Sequence, residues 1–172
     1  MASQLKYTVF KVKWGFFGLL ANEKALLRTS LSLQTPQMAK KYLLVGTKDE
    51  PVVTHELCPG LQELITAYFR GCCIDFDEAI IGSISLRGSD FRKKILKTCK
   101  TVKFGQTISY GRLAELAGFP QGARAAGSVL ARNPLPLIIP CHRVIRSDGR
   151  IGGFSMPGGE ELKKKLLRHE QV

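Results

Sequence analysis

From residue 7 to residue 14 the chain reads Tyr7-Thr8-Val9-Phe10-Lys11-Val12-Lys13-Trp14, an alternation of period two that lays one face of a β-strand on a core. Two more apolar, β-branched or aromatic runs, residues 16–20 and 24–31, lie on either side of Asn22-Glu23, and the three segments predict antiparallel strands. Thr35-Pro36 supplies a cap and a first-turn proline for a helix over residues 37–44. Pro59-Gly60 opens a second helix in which Leu61, Leu64, Ile65, Tyr68 and Phe69 recur at helical spacing and Gly71 is the stop. Residues 79–86 predict one more strand.

At Arg87-Gly88-Ser89 the strand-like pattern ends and helical spacing begins, which divides the chain into a small N-terminal α/β domain, 1–86, and a mainly helical domain, 87–172. A helix capped by Ser89 or Asp90 turns Phe91, Ile95, Leu96, Cys99 and Val102 inward and Arg92, Lys93, Lys94, Lys97 and Lys100 mostly outward. Ser109 caps a short helix over 110–117 that Gly118 ends, and Phe119-Pro120-Gln121-Gly122 makes a tight connection. A second helix of small residues, with Arg124 in its first turn, runs over 123–132 until Asn133-Pro134 stops it. Two such helices form either a helix-turn-helix or a helical hairpin packed for stability. The fold class is α+β, an N-terminal antiparallel sheet with helices followed by the helical half.

Charge adds a partner to this picture. The 172 residues carry 26 Lys+Arg against 14 Asp+Glu, a formal net charge of +12 that concentrates polyanions at the surface, nucleic acid first among them. A basic surface that serves only solubility is the alternative. No apolar run approaches the ~18 residues of a membrane span and the start lacks a secretory core, so a soluble intracellular protein, cytoplasmic or nuclear, with no membrane partner is expected. The five cysteines, Cys58, Cys72, Cys73, Cys99 and Cys141, are odd in number without C-x-x-C spacing, which suggests neither a disulfide framework nor a zinc site. No metal is expected; His55 and Cys58 lack two further ligands.

The candidate chemistry centres on Pro140-Cys141-His142-Arg143-Val144, which follows the apolar run 135–139 and precedes the charged turn 145–150. A cysteine beside a histidine is a nucleophile where its surroundings favour the thiolate, and otherwise a buried structural thiol next to a satisfied histidine. With Ser109-Tyr110-Gly111, Arg124, Asn133-Pro134, Ile139 with the 140–144 block, and Gly152-Gly153-Phe154-Ser155 in order, the chain resembles the O6-alkylguanine-DNA alkyltransferases, strongly over residues 89–170.

That resemblance implies a suicide DNA repair protein without a cofactor, a monomer that turns an O6-alkylguanine out of double-stranded DNA and moves the alkyl group irreversibly to Cys141. It implies that Arg124 fills the vacated stack, that Tyr110 crowds the target's phosphate, and that Gly111, Gly127, Arg132 and Ser147 complete the DNA surface. It further implies a relay in which Glu170 orients His142 and His142 acts through a water on Cys141, with Tyr110 and the backbone at Ser155 supporting the departing guanine and Asn133 linking the recognition helix to the Cys141 segment. Pro136, Val144 and Phe154 are expected to line the alkyl pocket, Phe154 standing where many relatives carry tyrosine. Lys163, Lys164 and Lys165 read as a solvated helix face. Competing classes are a non-catalytic alkyl-damage sensor, a helix-turn-helix DNA-binding regulator, and a cysteine hydrolase using Cys141 and His142 as a dyad.

Overall fold

A computed structural model describes residues 4–47, 50–76 and 83–171, and its contacts divide the chain into two compact units, Met1–Ser85 and Leu86–Val172. The first is built on β1 (Lys6–Val12), β2 (Gly15–Ala21) and β3 (Leu26–Leu33), a meander of antiparallel pairs, with the two-residue β4 (Val52–Val53) added parallel to β1. The sheet is therefore mixed at one edge rather than wholly antiparallel. Asn22 makes the β2–β3 turn by accepting the amides of Lys24 and Ala25 on its Oδ1, at 2.9 and 2.8 Å. Helices α1 (Pro36–Leu44) and α2 (Pro59–Arg70) bury the two faces of β2. Gly18 lets Leu43 of α1 lie against one face, and Phe17 meets Phe69 of α2 on the other, ring centroids 6.0 Å apart. That is why β2 is apolar at every position.

Of the strand expected over 79–86, residues 79–82 lie outside the described residues; Ile84 forms a single parallel bridge to Leu26. Among the described residues no helix is long and apolar enough to cross a membrane, and no three metal-ligating side chains converge.

The second unit begins with α3 (Asp90–Lys100), capped by the Ser89 hydroxyl on the Arg92 amide and packed through Ile95, Leu96 and Cys99. Arg92 does not project freely outward as the helical pattern suggested. Its guanidinium donates to the carbonyls of Arg87, just before α3, and of Arg132, two residues after the helix Ala123–Leu130 ends. Next come β5 (Ile108–Ser109), α4 (Tyr110–Leu116) and α5 (Ala123–Leu130), joined through Gly118 in the left-handed conformation. A 3-10 turn, Cys141–Arg143, runs into β6 (Val144–Ile145), and α6 (Gly159–His169) closes the unit. The parallel pairing of Ile108 with Val144 and Ser109 with Ile145 is short, yet it decides the site. Tyr110 starts where β5 ends and Arg143 ends where β6 starts, so the ladder brings α4's first residue beside the Cys141 turn.

Candidate active site

Cys141 sits on the wall of an open cavity of about 940 Å³, the upper end of the ~300–1,000 Å³ of ordinary ligand pockets, and its side chain is buried. The segment before it is held in an unusual shape. Leu137 has φ +77°, a left-handed conformation that costs a leucine about 1–2 kcal/mol. Asn133 spans that turn, its Nδ2 donating to the Ile139 carbonyl at 2.8 Å and its Oδ1 accepting the Leu135 amide at 3.0 Å. These bonds, with the Cys141 amide on the Ile139 carbonyl at 2.8 Å, set the direction of the thiol.

Behind the thiol lies a set of fully buried charges. Glu170 Oε1 accepts from His142 Nε2 at 2.8 Å, and the same carboxylate takes a two-pronged bond from Arg143, Nε to Oε2 at 2.9 Å and Nη2 to Oε1 at 3.1 Å. Arg143 Nη1 donates to the Val102 carbonyl at 2.6 Å, and the Gly105 amide adds a bond to Glu170 Oε2 at 3.3 Å. Burial works to raise the Glu170 pKa, but His142 and Arg143 outweigh it and hold the carboxyl at about 2. Burial pushes the His142 pKa down against the pull of Glu170, which leaves a neutral imidazole. With Nε2–H committed to the carboxylate, Nδ1 is the bare acceptor, and among the described residues no group bonds to it. Burial also pushes the Cys141 thiol up, opposed by the Asn133 amide and by the charge of Lys163.

Lys163 overturns the expectation of a solvated face. Its side chain is wholly buried, Nζ donating to the Val144 carbonyl at 2.6 Å and standing 3.5 Å from the Tyr110 hydroxyl. Residues 163, 166, 167 and 170 form the buried stripe of α6 and its C-terminal end, and Lys163 takes the position nearest the site. That i, i+3, i+4, i+7 spacing with Leu166, Leu167 and Glu170 was the available signal; reading three consecutive lysines as one charged run hid it. Lys164, by contrast, pairs with Glu160 and Glu161 at the surface. Burial lowers the Lys163 pKa, and the Cys141 thiolate would raise it.

A family model described as "6-O-methylguanine DNA methyltransferase, DNA binding domain" matches residues 90–172. A methylated-DNA–protein-cysteine methyltransferase from Kluyveromyces lactis is 44% identical over 165 residues, covering 87% of this chain and 86% of the relative. The chain belongs to the methylated-DNA–protein-cysteine methyltransferases. The methyltransferase of Cricetulus griseus is 37% identical over 179 residues, 98% of this chain and 83% of its own. The crystal structure of Mycobacterium tuberculosis OGT in complex with DNA superimposes with a TM-score of 0.79 at 29% identity, covering 96% of this chain and 92% of that one.

Within this methyltransferase the cavity gathers Cys141, Tyr110, Gly111, Arg124, Gly127, Ser147, Phe154 and Ser155 in one lining. His142 and Glu170 stand buried behind Cys141, and Asn133 beneath it. Pro136 and Val144 do not line the cavity. Val144 is fully buried as part of the β5–β6 ladder, and Pro136 is buried in a bridge to Ile139. Arg132 is exposed beyond the lining, its Nε on the Ser128 carbonyl at 3.2 Å. Arg146 and Leu130, which the sequence did not single out, belong to the wall.

Proposed function

We infer that this protein repairs DNA by turning an O6-alkylguanine out of the duplex and transferring its alkyl group, once and irreversibly, to Cys141. The supporting observation is the buried His142–Glu170 pair directly behind a cysteine that faces a cavity, in a chain of this family. A non-catalytic damage sensor is not favoured, because the nucleophile is present.

The geometry supports the following roles. Glu170, ionised and clamped by Arg143, keeps the proton on His142 Nε2 and leaves Nδ1 free to take the Cys141 proton through one water. The thiolate attacks the alkyl carbon, the S–C bond forms as the C–O6 bond breaks, and guanine leaves with the electron pair. A thiol held up by burial needs this base, since little thiolate stands at neutral pH. Tyr110 donates its hydroxyl proton toward the departing base, and Lys163 beneath it supplies positive charge that steadies both the thiolate and the phenol oxygen. Asn133 is a positioning residue for the Cys141 turn. Phe154 and the Ser155 backbone form the pocket for the base and its substituent.

The second unit carries both DNA binding and chemistry. Arg124, exposed on the first turn of α5, enters the gap the base leaves, against an unstacking cost of about a few kcal/mol. Gly111 and Gly127 let the two helices approach the backbone, and Arg132 and Ser147 meet phosphates. The protein works as an intracellular monomer, cytoplasmic or nuclear, without a cofactor.

Incubation with duplex DNA carrying O6-methylguanine, followed by peptide mass spectrometry, should place one methyl group on Cys141. Intact folded protein that takes up none would remove this reading.

A further inference from the structure

The cavity holds a cation that the reaction as drawn does not use. Arg146 begins a tight hairpin in which its amide donates to the Arg150 carbonyl at 2.8 Å and its carbonyl accepts the Gly149 amide at 3.0 Å. Arg146, Ser147 and Gly152 line the Cys141 cavity, whereas Ile145, Gly149 and Ile151 line a separate pocket against α6. Gly152, at φ +74°, has no side chain to keep its neighbours apart. A Cβ there would lie 3.3 Å from Arg146 Cγ and 3.5 Å from the Tyr110 ring, so the arginine stem and the phenol converge over one glycine.

The charge balance of the hairpin leaves this guanidinium available. Asp148 Oδ2 is taken by Arg150, Nη2 at 2.6 Å and Nε at 2.8 Å, while Arg146 Nε stands off at 3.4 Å. Two guanidiniums thus share one carboxylate oxygen, and the one facing the cavity has the weaker hold. Among the lining residues the charged side chains are Arg124 and Arg146. Guanine N7 is one acceptor that an arginine here can meet, and duplex and free base share it; an anionic oxygen is the stronger partner for a guanidinium.

We propose that Arg146 binds an anionic oxygen of the substrate at the mouth of the Cys141 cavity, beside Tyr110. The phosphate flanking the everted nucleotide is the source that every DNA substrate carries. A carboxylate on the O6 substituent, as in O6-carboxymethylguanine, is the second source of the same chemistry. A guanidinium suits either, because its planar fork matches two oxygens at once.

The inference rests on the transfer reaction, so the wild-type protein is measured first. Wild type that fails to alkylate Cys141 removes the proposed function itself; wild type that succeeds leaves Arg146 to be judged alone. Arg146→Ala and Arg146→Lys are then compared on three substrates: duplex O6-methylguanine, duplex O6-carboxymethylguanine, and free O6-benzylguanine base, which has neither phosphate nor carboxylate. For a phosphate contact, Arg146→Ala should slow both duplex reactions about tenfold more than the free-base reaction, with partial rescue by lysine. The slope of log affinity against log salt should also fall by about 0.9, the worth of one phosphate. For a carboxylate contact the selective loss appears with O6-carboxymethylguanine alone. Equal slowing on all three substrates would make Arg146 a mere support for the Tyr110 wall, and no change on either duplex would leave it without a substrate role; both results overturn the proposal.

Discussion

Below Cys141 and at the mouth of its cavity the second unit places the same kinds of side chain in opposite circumstances. Below, Glu170, His142, Arg143 and Lys163 are buried, and each has a partner within 3.1 Å. At the mouth, Arg124 and Arg146 are exposed, Arg124 with no ion-pair partner among the described residues and Arg146 with a shared one at 3.4 Å. Charges in a low dielectric must be paired to stay charged, and once paired they keep one geometry. Exposed arginines cost little and wait for an outside anion. The contrast separates chemistry from binding: substitutions below should change rates on every substrate, and stability where they strand a buried charge, whereas those above should matter only when DNA is present.

The sharpest way to break this division is Glu170→Ala. Arg143 and His142 would then lie buried without their carboxylate, a loss of about 3–5 kcal/mol that lowers the melting temperature by on the order of 10 °C. Glu170→Gln retains an acceptor and most of the packing. It should melt closer to wild type yet transfer roughly 10²-fold more slowly in single-turnover assays, because the proton on His142 is no longer directed. An unchanged rate in Glu170→Gln would mean that the carboxylate serves folding alone.

Lys163→Met comes second. Methionine fills nearly the same space without charge, and replacing a buried charge by a well-packed apolar side chain is often neutral for stability. The melting temperature should hold within a few degrees, while transfer to free base and to duplex falls alike, by about tenfold to a hundredfold. A loss confined to duplex DNA would move Lys163 to the binding set.

Arg124→Ala tests the other side. Everting a base costs a few kcal/mol, and removing the residue that occupies the gap should slow transfer from duplex by about tenfold or more with little effect on free O6-benzylguanine. Equal loss on both substrates would take Arg124 out of the stack.

How much of this was legible in the sequence follows the same line between local and distant. Caps and stops were readable one residue at a time: Thr35, Ser89 and Ser109 each accept the amide three residues on, and Gly71 and Gly118 take the left-handed conformation. The Cys141 turn was marked by a run of residues that few other arrangements share, and the His142–Glu170 contact lies where the resemblance implied one. What the chain did not disclose depends on contacts far along it. Val52-Val53 is too short to show a period and becomes a strand only because the amides of Val52 and Thr54 donate to the carbonyls of Leu5 and Tyr7. For Val144 the residue type alone favours the core and only the resemblance implied a pocket wall; pairing with Ile108, distant in sequence, puts it in the core. Lys163 was legible in its spacing with Leu166, Leu167 and Glu170 but was hidden in a run of three lysines, whereas Arg146 went unread because a cavity wall is a property of the assembled unit.

Acid gives the smallest and most discriminating effect. His142 is buried neutral, with its pKa below the ordinary 6.5. As pH falls below 6.5 the unfolded chain takes up a proton that the folded protein refuses, so stability declines by up to about 1.4 kcal/mol per pH unit until the lowered folded pKa is reached. Glu170 does not interfere in this window: its stabilisation is intact above 4.5 and is lost only between 4.5 and about 2. Transfer per folded molecule should hold through the first decline, because His142 is still a base there, and should fall only when the folded imidazole itself protonates. Contacts to DNA at the mouth are made by guanidinium groups, so DNA affinity measured at constant salt should change little from pH 7.5 to 5.5. Melting curves, single-turnover rates and binding isotherms over that range should therefore part in that order. In His142→Asn the stability decline below 6.5 should shrink; a decline of unchanged size would assign it to another group.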